Sequence, residues 1–154
     1  MMVVTQDVWE RPMPMNIYLY FDGECRDAFD FYLETFGGEF ASLMTFADGP
    51  EDMPVPPDGR NRIMHVSLPL GGALLMGSDT FPGSDAPHVV GTNFAITVPA
   101  ESREECDRLF ARLAAGGTVL SAMEETFWGS YFGQLRDRFG VAWMFNFDLS
   151  GNPE

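Results

Sequence analysis

Positive charge is scarce in this chain. Nine Lys and Arg residues face 23 Asp and Glu, a formal charge of −14 at pH 7. Such a surplus repels phosphate backbones and anionic lipid surfaces, so nucleic-acid and membrane-surface partners are excluded, while neutral or cationic ligands remain. Cysteine is nearly absent: Cys25 and Cys106 are too few for a disulfide framework and fall in segments that read as helices, so free thiols in the cytoplasm are the expectation. The start, Met1-Met2-Val3-Val4-Thr5-Gln6-Asp7, shows neither the basic nor the apolar region of a signal peptide. No run reaches the roughly 18 apolar residues that a membrane helix needs. What is present suits one ordinary folded domain: 154 residues, 45% hydrophobic and 21% charged, which excludes disordered, collagen-like and coiled-coil classes.

Residues 1–14 carry Arg11-Pro12-Met13-Pro14 and no clear period, and read as an arm with Trp9 as a docking side chain. The sequence then predicts a strand at Ile17–Phe21, a helix entry at Asp22-Gly23 and a helix over Cys25–Phe36 stopped by Gly37-Gly38. Strands follow at 40–45, 63–68 and 73–78, with a Pro/Gly/Asp-rich loop over 46–62 of a length more often functional or mobile than merely connecting. The order then recurs: a strand at 93–98, a capping box at Ser102-Arg103-Glu104-Glu105, a helix to Ala115, a stop at Gly116-Gly117, and strands at 118–123, 131–136 and 141–147. Laying Gly37-Gly38 on Gly116-Gly117 also lays Phe31 on Phe110. The reading is a single domain over 15–148: module one at 15–78, a linker at 79–91, module two at 92–148, then a tail at 149–154.

Strand side chains alternate between faces, and here the two sets differ. One reads Ile17, Leu19, Phe21; Met64, Val66, Leu68; Phe94, Ile96, Val98; and Val141, Trp143, Phe145, Phe147, all apolar. The other reads Asn16, Tyr18, Tyr20; His65, Ser67; Leu74, Met76, Ser78; Asn93, Ala95, Thr97; Phe132, Gln134; and Ala142, Met144, Asn146. Amides, hydroxyls, rings and thioethers with few charges suit an enclosed, polar-studded pocket; a second core or a dimer contact is the alternative. Trp128 and Tyr131, flanking Gly129, are placed at the pocket mouth, with a dimer seam as the alternative for Trp128. His65 and His88 are the only histidines. His65, on the polar set beside Ser67, is the candidate acid or base, with pocket hydrogen bonding as the other reading. No triad accompanies it.

The paired βαβββ order, Phe31-Tyr32-Leu33-Glu34-Thr35-Phe36-Gly37-Gly38 closing the first helix, and Asp137-Arg138-Phe139-Gly140-Val141-Ala142-Trp143 opening the last strand resemble the vicinal oxygen chelate superfamily of glyoxalase, extradiol dioxygenase and bleomycin-resistance proteins. Tyr18 to Gly23, Met64-His65-Val66 and Phe127 to Gly133 resemble its PhnB-like branch. The resemblance implies an α+β fold in which two βαβββ modules form an open, eight-stranded, cup-shaped sheet with helices on the outer face, and a homodimer. It also implies a divalent ion held by His, Gln and Glu, two from each module, at positions that fall here on Asn16, Met76, Asn93 and Met144. Carboxamides and thioethers suit no hard divalent ion, so no metal is expected; a substitute centre of His65, Gln134 and either Asn is the remaining arrangement. Gly71-Gly72 reads as a hairpin without a following helix, so no nucleotide phosphate loop and no other cofactor is expected, and methyl transfer, which labels some PhnB-like chains, is rejected.

The expected function is therefore binding of a small, cationic or neutral molecule in a metal-free cup, by sequestration as in bleomycin-resistance proteins. The pocket set is Asn16, Tyr18, Tyr20, Ser67, Met76, Asn93, Trp128, Tyr131, Gln134, Met144 and Asn146. The alternative is a lyase, isomerase or dioxygenase-type enzyme of the same superfamily, metal-dependent or using His65.

Overall fold

The computed structural model describes residues 14–150. The expected N-terminal arm with Trp9, and the expected tail, lie outside them except for Pro14, Leu149 and Ser150. The elements are β1 Ile17–Phe21, α1 Cys25–Phe36, β2 Ser42–Thr45, β3 Ile63–Leu70, β4 Ala73–Asp79, β5 Ile96–Val98, α2 Arg103–Ala114, β6 Thr118–Glu125, β7 Ser130–Arg136 and β8 Ala142–Asp148. This is βαβββ twice, an α+β fold. The eight strands divide into two four-stranded sheets, ordered β1-β4-β3-β2 and β5-β8-β7-β6. In each, the pair formed by the module's first and last strands is parallel and the others are antiparallel. Among the described residues the chain forms two compact units, 14–33 with 38–85, and 34–37 with 86–150.

In the first, α1 buries Cys25, Ala28, Phe29 and Tyr32, the three-and-four spacing of one helix face. Phe29 lies over Gly77 of β4, where a Cβ would come within 2.6 Å of its ring, and meets Phe21 edge-on at 6.3 Å. Leu19, Val66, Leu68 and Leu75 complete this core. The α1 N-terminus is capped from afar. Asp79, the last residue of β4 rather than the first of a linker, accepts the backbone N–H groups of Gly23 (2.8 Å) and Cys25 (3.0 Å) on Oδ1, and that of Ile63 (2.8 Å) on Oδ2. Asp22, expected at the helix entry, instead pairs with Arg62 at 2.9 Å. The long loop is pinned by Phe46 against Phe81 and by Gly59 against Pro82.

In the second, α2 buries Cys106, Leu109, Phe110 and Leu113 in the same core as Leu135, Trp143 and Phe145, with Phe110 edge-on to Phe145 at 5.7 Å. Its expected cap is present: Ser102 Oγ accepts the Glu105 N–H at 3.1 Å, while the Glu105 carboxylate accepts from Glu101 N rather than from the cap's own. Asp137 accepts the N–H groups of Phe139 and Val141 and the Trp143 indole N–H at 2.9–3.0 Å, which fixes the turn into β8.

One strand is shorter than its pattern. β5 begins at Ile96, not Asn93, and Phe94, placed in the apolar set, is 53% exposed. Asn93 sits in a bend with its side-chain oxygen close over Gly91, the local turn-forming behaviour of Asn next to Gly. Only Ile96 to Val98 pair with β8.

Candidate functional site

Each helix covers one face of its sheet, and the other face carries the polar set. On the first sheet, Tyr18 of β1 is opposite Met76 of β4, which is opposite Ser67 of β3, and Met44 of β2 is opposite His65. Residues directly opposite share a face, so Tyr18, Tyr20, Met44, His65, Ser67 and Met76 form one surface. Tyr18 stands 5.1 Å from Tyr20 and 5.7 Å from His65 between ring centres, stacked on the latter at 27°, and its hydroxyl is 3.2 Å from His65 Nδ1. Among the described residues this is the only hydrogen bond the His65 ring makes, and no carboxylate joins it.

On the second sheet the rows are Thr97, Met144, Gln134 and Ser121, and beside them Asn146, Phe132 and Glu124. Thr97 donates to the Met144 sulfur at 3.8 Å. Trp128, exposed in the turn before β7, meets Phe132 at 6.0 Å and Phe127 at 5.0 Å. Asn146 Oδ1 is buried and has no hydrogen-bond partner among the described residues. Glu124 was not legible: β6 bulges on both sides of Ser121, which shifts the phase so that Glu124, not its alternation neighbours, shares the face of Phe132.

Two expected site residues stand elsewhere, and a third has its side-chain oxygen already engaged. Tyr131 is in phase with Gly133 and Leu135 and faces α2. Its hydroxyl donates to Asp107 at 2.6 Å, which holds the phenol above its ordinary pKa, and the Arg103 guanidinium lies 4.4 Å over its ring. Asn93 is exposed outside β5. Asn16, also exposed, spends its side-chain oxygen on the Leu74 N–H at 3.0 Å, joining β1 to β4. Register also corrects the pairing of the two modules. Tyr18 faces Met76 as Thr97 faces Met144, so the counterpart of Asn16 is Ala95, not Asn93.

The donor set does not fit the divalent ion implied by the superfamily. Module one offers a carboxamide already hydrogen-bonded and a thioether; module two offers a thioether and, at the counterpart position, an alanine. Neither brings imidazole or carboxylate, and among the described residues no group of three or more His, Cys, Asp and Glu could hold a metal. Both thiols are buried: burial, then the Asp79 carboxylate, pushes Cys25 far up, and burial pushes Cys106 up to about 11, which disfavours the thiolate in each.

Residues 14–145 match the family described as 3-demethylubiquinone-9 3-methyltransferase. The chain belongs to this family. Protein YjdN of Escherichia coli K12 is 34% identical over 142 residues, covering 87% of this chain and 95% of that protein. Among solved structures, protein PA1353 from Pseudomonas aeruginosa is similar at 39% identity and a TM-score of 0.78, over 88% of this chain and 98% of the other. A PhnB protein from Bacillus cereus shares the fold at 24% identity and 0.69, over 88% and 99%. So does a glyoxalase/bleomycin resistance protein/dioxygenase family enzyme from Burkholderia phytofirmans PsJN, at 18% and 0.55, over 87% and 97%. The fold is thus that of the vicinal oxygen chelate proteins, in its PhnB-like form.

Proposed function

We propose that this chain binds a small neutral or cationic molecule on the helix-free faces of its sheets, without a metal ion, and acts by holding it. The observation that carries this is the first sheet's face: the Tyr18 ring has Tyr20 at 5.1 Å and His65 at 5.7 Å, Tyr20 is 65% exposed, and the uncharged Ser67, Met44 and Met76 lie beside them. A solvated sheet face ordinarily carries charged residues; this one offers rings and hydroxyls that suit a ligand. The chain has no lysine at all, and its net charge favours cations over anions. Methyl transfer, the activity in the family's description, finds no glycine-rich nucleoside cradle among the described residues: Gly71-Gly72 joins two strands, and the strand-to-helix turn at Asp22-Gly23-Glu24 holds one glycine.

The test is a thermal-shift screen of amines, aromatic heterocycles and neutral aromatics on protein treated with chelator, repeated on Tyr18→Ala. A ligand that binds only the folded state raises Tm with its concentration; the expected hit does so with and without chelator and loses its effect in Tyr18→Ala. A hit that needs one divalent ion per chain, or no hit from any class, overturns the reading. Acid–base catalysis is the second reading, favoured by the Tyr18 hydroxyl that fixes the His65 ring; turnover of a hit, abolished in His65→Ala with binding retained, would establish it. Assembly as a homodimer in the cytoplasm belongs to the same proposal, with the half-exposed Val119 and Leu120 on edge strand β6 as contact surface; a sedimenting species of monomer mass alone removes the dimer.

A further inference from the structure

We propose that the helix-free face of the second sheet binds the protonated nitrogen of a small aromatic amine, with Asn146 Oδ1 accepting its N–H, Phe132 and Trp128 meeting its ring, and the Glu124 carboxylate on the far side of Phe132 biasing the face toward cations. This rests on the ligand-binding reading above and gives it a place and a chemical class.

Asn146 carries the argument. A buried side-chain oxygen without a donor is uncommon, because the hydrogen bonds it gave up in water are not replaced. Asn146 Oδ1 is in that state among the described residues, and it belongs to a strand row, Asn146–Phe132–Glu124, that runs from the unsatisfied acceptor across an aromatic ring to an exposed carboxylate. Glu124 has no ion-pair partner among the described residues, whereas its neighbour Glu125 is held by Arg103 at 2.6 Å. Trp128 stands at the Phe132 ring, 6.0 Å away and steeply inclined, so two aromatic faces border the row. The single basic side chain on this face, Arg136, is taken up by the Gly140 carbonyl at 2.7 Å. An acceptor, a carboxylate and ring faces all attract the same partner, a cation that also donates N–H. An anion would meet the exposed Glu124 carboxylate along this row, with only the neutral N–H groups of the Asn146 amide and the Trp128 indole to donate to it.

The whole chain is titrated by tryptophan fluorescence and calorimetry with four probes of similar size: phenethylammonium, benzyltrimethylammonium, 2-phenylethanol and phenylacetate. Phenethylammonium is expected to bind most tightly and phenylacetate not to compete. Asn146→Leu is expected to weaken phenethylammonium by about tenfold or more, the effect of losing a hydrogen bond to a charged group, and to leave benzyltrimethylammonium, which has no N–H, unchanged. Glu124→Gln is expected to weaken both cations and to spare 2-phenylethanol. Glu124 is exposed, so this variant tests the site even if Asn146→Leu does not fold. Equal affinity of phenethylammonium for Asn146→Leu and the parent, tighter binding of phenylacetate, or no binding of either cation overturns the proposal. A screen hit that depends on Tyr18 and ignores Asn146 and Glu124 overturns this site alone and leaves the broader binding function standing.

Discussion

At one pair of counterpart positions the two modules fill a shared topology from opposite walls. Leu19 pairs with Gly77 as Val98 pairs with Phe145, so Gly77 and Phe145 are counterparts, and one step along Leu75 is the counterpart of Trp143. In module one the helix supplies the aromatic bulk, Phe29 and Tyr32, and the strand gives way with a glycine. In module two the strand supplies it, Trp143 and Phe145, and the helix meets it with Leu109, Phe110 and Leu113. The volume between helix and sheet must be filled to near-crystalline density, yet either wall can furnish the atoms. Duplicated topology therefore constrains the sum of facing side chains and leaves each residue free to diverge.

The largest effect that sharpens this comparison is expected at Trp143. It is 1% exposed and its indole N–H reaches Asp137 at 2.9 Å. Trp143→Ala should lower unfolding free energy by about 3–5 kcal/mol, read by denaturant melts, and the Asp137 carboxylate keeps its two backbone donors. A loss below about 1 kcal/mol would mean the strand aromatics do not carry this core, the range of an ordinary surface change.

Gly77→Ala comes next. The added Cβ would meet the Phe29 ring at 2.6 Å and the Leu19 carbonyl oxygen at 3.0 Å; the ring can shift, the backbone cannot cheaply. Overpacking of this kind costs about 1–3 kcal/mol. Because the clash is with Phe29, the double variant Gly77→Ala, Phe29→Leu should fall short of the summed single costs, a coupling expected between touching residues. Strict additivity would break the claim that helix and strand trade volume here.

How much of this was legible in the sequence follows from the distance over which each residue acts. Alternation separates Leu19 and Phe21 from Tyr18 and Tyr20 because both sets are written within one strand, and the same holds for Trp143 and Phe145 against Met144 and Asn146. Glycine stops at Gly37 and Gly116, both at positive φ, are equally local. The Asp79 cap was not legible, since its partners Gly23 and Cys25 lie more than fifty residues away in sequence. Glu124 was hidden by bulges, which leave no mark on composition. Tyr131 is expected at the pocket mouth from its closeness to Trp128 and Gly129, although the expected strand at 131–136 already includes it; its phase with Leu135 turns it to the helix. The family positions on Asn16 and Asn93 follow from a place early in each module's expected first strand; because β5 begins later than its pattern, only pairing register shows that Ala95 is the counterpart.

The smallest predicted effect concerns the helix starts, where the modules differ again. Ser102 satisfies one orphan donor of α2, the Glu105 N–H, out of the few that every helix leaves at its start; Asp79 satisfies one at the start of α1, the Cys25 N–H, together with the Gly23 N–H just ahead of the helix and a donor from β3. Ser102→Ala should therefore cost about 1 kcal/mol, the usual worth of an N-cap hydroxyl, because the Glu105 carboxylate still binds the Glu101 N–H from the other side. Hydrogen exchange adds a local readout: the Glu105 amide should lose protection while amides in α1 keep theirs. Ser102→Asp should restore the acceptor and recover the loss, since a carboxylate at this position also complements the positive end of the helix dipole. If Ser102→Ala leaves both stability and Glu105 exchange unchanged, the local cap contributes nothing to α2, and packing of Cys106, Leu109, Phe110 and Leu113 against the sheet alone fixes where that helix begins.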